Sequence, residues 1–185
     1  MSITITEALA EIKTIGKRLE KKRAAILSNL GRDSRFVDPL DGGSVDYVKK
    51  ERQAIQDLEK RIVAIRTAIQ KSNLSTPTTV GDVTQTVAEW LTFRREVSTG
   101  RQQFLSLLNN TIRGIRDKVT KEGGRVNSVG MNATAIVEAT AKPTPEVLIY
   151  VNEKELLDEQ EQLEKTLGDL DGKLSLLNAT TLIEV

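Results

Sequence analysis

Asp158, Glu159, Glu161 and Glu164 place four carboxylates within seven residues, with Glu161 and Glu164 one helical turn apart. Carboxylates so spaced are the material of oxygen-ligand metal sites and of general acid–base pairs. Neither chemistry is completed here. The chain has no His and no Cys, which removes Cys/His zinc sites, thiol nucleophiles, Ser-His-Asp triads, disulfides and histidine proton transfer together. A carboxylate-only metal site or a lysine-based site needs neither residue, yet no motif for one is present. The acidic set therefore reads as a solvated helix face. "GMNATA", around Gly130, lacks the Gly-Lys-Ser/Thr ending of a phosphate loop. Asn132-Ala133-Thr134 and Asn178-Ala179-Thr180 fit the glycosylation triplet by chance, with no secretory signal before them. The expectation is a protein that is not an enzyme, with no catalytic, cofactor-binding or metal-binding residues, no cofactor and no small-molecule substrate.

The opposite charge gathers in "KRLEKKR", where Lys17, Arg18, Lys21 and Lys22 surround a largely exposed helix face. Such a patch binds phosphates through counterion release. A face solvated and paired internally with acids is the simpler reading. Residues 1–35 carry eight basic and four acidic side chains, and 150–185 carry three basic and nine acidic, which places the basic first helix near the acidic last one. A net charge of +1 argues against nucleic acid as a partner. No apolar run approaches the length of about 20 residues that spans a bilayer, and "MSITITEALAEIKTIGKR" lacks an apolar secretory core. A soluble chain made in the cytoplasm, without a membrane partner, is expected.

These charges must ride on helices. Ile5, Ile12, Leu19 and Ile26 recur every seven residues after Thr4 or Thr6, either of which can cap a first turn, and Gly31 ends the run. "GRDSRFVDPLDGG" is a loop. Ser44 then caps a second helix with Val48, Ile55, Ile62 and Ile69 in step. Gly81-Asp82, between β-branched residues, predicts a two-residue turn, after which Thr84 or Thr86 caps a third helix. Its stripe runs Trp90, Val97, Phe104, Leu108, Ile112, Ile115 and Val119, with Trp90, Phe93 and Phe104 as core aromatics and Arg94 and Arg95 at the rim of a subunit contact. Residues 121–151 are Gly-rich, then β-branched, and predict a small β-ribbon insertion that uses Ala135–Val137 and Val147–Val151 as strands. Asn152 and Glu155 form a capping box for the last helix, whose Leu156, Leu163, Leu170 and Leu177 make the strongest coiled-coil-like stripe. "TTLIEV" closes as a short strand or an extended tail.

One feature ties the halves together. At an offset of 105 residues, "DLEKRIVAIRTAIQKSNLST" from Asp57 aligns with "QLEKTLGDLDGKLSLLNATT" from Gln162. Both end in Asn followed by Ser/Thr residues that satisfy a last helical turn before an extended segment. The predicted fold is mostly α: antiparallel long-helix hairpins of four main helices, residues 1–76 forming the first and 77–185 the second with its β insertion at about 121–151.

"ITEALAEIKTIGKRLEKKR", "AIQKSN", "TVAEWLTFRREV" and "LLDEQEQLEKTLGDLDGKLSLLNATT", in that order, resemble the septicolysin-like family of small helical proteins. The family's final helix ends in Asn-Trp-Thr-Thr where this chain has Asn178-Ala179-Thr180-Thr181. The resemblance implies a helical cytoplasmic binding module and transfers no active residue. The opening is also similar to proteins encoded among bacteriophage structural genes, which implies a virion component. With narrow seven-residue stripes that bury well against only one or two neighbours, the expectation is a structural or assembly protein of a phage particle. Its expected partners are copies of itself or other virion proteins. A β insertion acting as an arm on a neighbouring subunit would cover its own strand edges.

Overall fold

The computed structural model describes residues 2–31, 33, 35–40, 42–128 and 146–185. Its first strand, β1 (Ser2–Thr4), runs into α1 (Ile5–Ser28). Thr4 is the cap. Its hydroxyl accepts from the Glu7 amide at 3.2 Å, and the Glu7 carboxylate accepts from the Thr4 amide at 2.8 Å, so two orphan donors are satisfied reciprocally. α1 stops earlier than Gly31 suggests, because the Asn29 side chain donates to the Ala25 carbonyl at 2.8 Å and completes the last turn.

α2 (Ser44–Ser75) starts differently from expectation. Ser44 is the first helical residue and not the cap; Gly43 holds that position at φ 89°, a conformation that favours glycine. The capping oxygens come instead from Asp38 in the loop, which accepts from the Ser44 amide and hydroxyl, each at 2.7 Å. α1 and α2 lie antiparallel, with Ile5, Ala8, Ile15 and Leu19 against Ile65 and Ile69. Glu11–Arg61 at 2.8 Å near one end and Lys22–Glu51 at 2.8 Å near the other flank that seam.

β2 (Pro77–Val80) and β3 (Val83–Thr86) pair around Gly81, whose φ of 57° fits the expected tight turn. The third helix follows as α3 (Val87–Thr92), a π-helical segment (Phe93–Ser98) and α4 (Thr99–Lys121). This segment corrects the predicted stripe. Steps of seven from Trp90 lead to Val97 and Phe104, but those two are 51% and 58% exposed. The buried line is Trp90, then Ser98, Leu105, Ile112 and Val119. A wider π turn takes one residue more than an α turn, so every position beyond it rotates and the inward row moves one residue along. Phe104 is therefore not a core aromatic, whereas Trp90 is buried and meets the half-buried Phe93 edge to face at 5.8 Å.

β4 (Arg125–Ser128) and β5 (Glu146–Ile149) pair in parallel, Arg125 opposite Glu146 and Ser128 opposite Ile149. Ala135–Val137 lie outside the described residues. α5 (Glu153–Thr180) begins at Asn152, whose side-chain oxygen accepts from the Lys154 amide at 3.1 Å while its amide donates to Glu155 at 2.8 Å. Leu156 and Leu163 of α5 pack against Leu105 and Ile112 of α4, and Leu170 is fully buried. β6 (Leu182–Glu184) then pairs antiparallel with β1, Ile183 opposite Ile3.

Two compact units result. One comprises Met1–Thr78, Thr86–Ala88 and Gly172–Val185, and the other Thr79–Gln85 and Glu89–Asp171. The end of the sequence thus belongs with the first hairpin. The repeated helix endings serve matching joints. At the end of α2, the Thr76 hydroxyl donates to the Ser72 carbonyl at 2.8 Å, and the Thr76 carbonyl accepts from the amide of Val87, first residue of α3, at 3.0 Å. At the end of α5, the Thr180 hydroxyl donates to Leu176 at 2.9 Å, and the Thr181 carbonyl accepts from the amide of Ile5, first residue of α1, at 3.1 Å. The entering helices share a motif as well: Thr4-Ile5-Thr6-Glu7 and Thr86-Val87-Ala88-Glu89.

Candidate functional site

Three carboxylates of α5 are engaged in hairpin pairing. Glu159 binds Arg101 at 2.5 Å, Glu153 binds Arg116, and Asp171 binds Arg94 at 2.9 Å. Glu164 accepts from Gln160 at 3.3 Å. Asp158 and Glu161 are exposed. The described carboxylates of α5 thus make a charged helix face with a cross-helix seam through Glu153, Glu159 and Asp171.

The basic helix behaves likewise. Lys22 and Arg23 of α1 pair with Glu51 and Glu59 of α2, both at 2.8 Å, so these cations are met within their own hairpin. Glu11 accepts from Arg61, whose guanidinium holds the carboxyl below the usual carboxylate range and is itself raised. Lys13, Lys17 and Lys21 stand exposed on α1, one turn apart each. Arg94 reaches Asp171, and Arg95 pairs with its neighbour Glu96 at 2.8 Å.

A cleft of about 580 Å³ lies beside the start of α2, between Leu30, Asp38, Val48, Lys49 and Arg52. Its size suits a small molecule. Its one carboxylate is spent structurally, since both Asp38 oxygens are occupied by Leu40 and Ser44. The one hydroxyl on the described walls, that of Ser44, donates to this carboxylate at 2.7 Å and is held with it at the start of α2. "GMNATA" and Asn132-Ala133-Thr134 lie outside the described residues; Asn178 and Thr180 serve the end of α5. No described helix is long and apolar enough to cross a membrane.

The feature least visible in the sequence is the outward face of α4. The π-helical segment turns Val97 and Phe104 outward, and Leu107 beside them is 63% exposed. Sequence periodicity missed it, because a seven-residue count from Trp90 predicts the reverse. The visible signal was the lack of charge between Gln102 and Ile112. Comparison with protein-family models, with curated proteins and with solved structures finds no match to this chain.

Proposed function

We propose that the chain is a non-enzymatic structural or assembly protein that oligomerises, and that it serves in a bacteriophage particle as a head-decoration, minor-capsid or tail-associated component. The observation that carries assembly is the balance of apolar side chains. Among the described residues, seventeen large apolar side chains stand exposed beside eighteen buried apolar ones. Each hairpin is a pair of helices that buries one stripe, so apolar residues off that stripe need another surface to cover them. The charged clusters serve pairing within hairpins, which fits a scaffold more than a reaction centre. The particle assignment rests on the similarity of the opening to proteins encoded among phage structural genes.

Sedimentation equilibrium of the purified chain tests assembly: average mass should rise with concentration, and a constant monomer mass would overturn it. Gradient-purified particles from a host carrying the gene should contain the chain by mass spectrometry, and its absence from them would overturn the virion role.

A further inference from the structure

Gln102 to Ile112 is the longest uncharged run inside any described helix, eleven residues in a chain that is 29% charged. Its outward side is built of Phe104 and Leu107 with amide and hydroxyl side chains around them, and Val97 lies two turns before Phe104. Gly100 and Gly114 stand seven residues to either side of Leu107, and a Cβ on either would meet open space. Glycine within a helix costs about 1 kcal/mol relative to alanine, and among the described residues no contact requires it at these two positions. The π-helical segment works in the same direction, since it turns Phe104 away from the core. Depletion of charge around an exposed aromatic is the composition of an interface centre.

Charge identifies the occupant. A charged surface laid on this face would lose hydration and find no counter-charge, so the matching surface is uncharged over the same length. The outward sides of α1, with Lys13, Lys17 and Lys21, and of α5, with Asp158, Glu161 and Lys165, do not qualify. The same face of a second copy does. We infer that two copies pair α4 against α4 antiparallel about a two-fold axis at Leu107. In that register Gly100 faces Gly114 of the other copy, and Phe104 faces Asn110. The glycines let the backbones approach closely at both ends, and each phenyl ring lies over an amide side chain. A self-complementary patch of this kind gives a closed dimer.

The inference rests on the assembly reading and names the surface it uses. Because the chain has no Cys, Leu107→Cys introduces one thiol, which can form a disulfide only with another copy. Mild oxidation should convert that variant to covalent dimer, while Lys17→Cys, on the outward side of α1, should stay monomeric. In sedimentation equilibrium, Phe104→Glu and Leu107→Glu should each weaken dimerisation by at least about tenfold, by placing an unpaired carboxylate in the contact, with helical circular dichroism unchanged. If the wild-type chain associates but both Glu variants associate equally well, this surface is wrong and assembly stands. If the wild-type chain is a monomer throughout and Leu107→Cys gives no covalent dimer, both are wrong.

Discussion

The two hairpins open on the same words and then diverge. α1 and α3 each follow an extended strand, each begins with Thr, a β-branched residue, any residue and Glu, and each donates its first amide to a threonine carbonyl at the end of a returning helix. From there α1 keeps its seven-residue row through Ile5, Ile12 and Leu19, whereas the third helix takes the π-helical step and moves its buried row from the Trp90 phase to Ser98 and Leu105. A single extra residue thus decides which side of a helix is core. In the first hairpin apolar residues at the expected spacing are inside; in the second, Val97 and Phe104 are apolar, correctly spaced and outside.

The sharpest test of that contrast sets neighbours against each other. Leu105→Ala, at a 2% exposed position, should destabilise by about 2 to 5 kcal/mol in urea melts, while Phe104→Ser at dilute concentration should change stability by less than about 0.5 kcal/mol. Equal effects would show that the π-helical step does not set the register. A smaller effect is expected at the start of α1, where Thr4→Ala removes the capping box and should cost about 1 kcal/mol; an unchanged melting midpoint would show the joint to be independent of its cap.

The smallest effect concerns Glu7, whose carboxyl is held below its ordinary value by hydrogen bonds from the Thr4 amide and then the Thr4 hydroxyl. A lowered folded pKa means a contribution that is present above the unfolded value of about 4.3 and fades as pH falls through the lower folded value. Wild type should melt above Glu7→Gln at neutral pH, and the two midpoints should converge in that acidic range. A gap that persisted at the lowest pH would assign the effect to shape and not to charge.

Much of the fold was legible because the rows are regular. The stripes of α1, α2 and α5, the Gly81-Asp82 turn, the Asn152 cap and a strand over Val147–Ile149 follow from spacing and local hydrogen bonding, although Tyr150 and Val151, expected in that strand, lie beyond its end. What was illegible depended on partners distant in sequence or on a backbone irregularity. Ser2–Thr4 is a strand only because Leu182–Glu184 lies beside it. Ser44 looked like a cap because nothing local announces that Asp38 supplies the oxygens. The π-helical segment has no proline or glycine within Phe93–Ser98 to mark it. The outward α4 face followed that error: its residues were visible, and their direction was not.

The pairing of β1 with β6 also decides how the chain carries mechanical load. Ser2 faces Glu184 and Thr4 faces Leu182, so a pull applied through residues 2 and 184 acts at one end of the ladder and parts its rungs in sequence, the low-force geometry of unzipping. The Ile5 bond to Thr181 lies behind the last rung, and the α1–α2 seam is loaded only after it gives way. Under tension these strands are a fuse ahead of the helices.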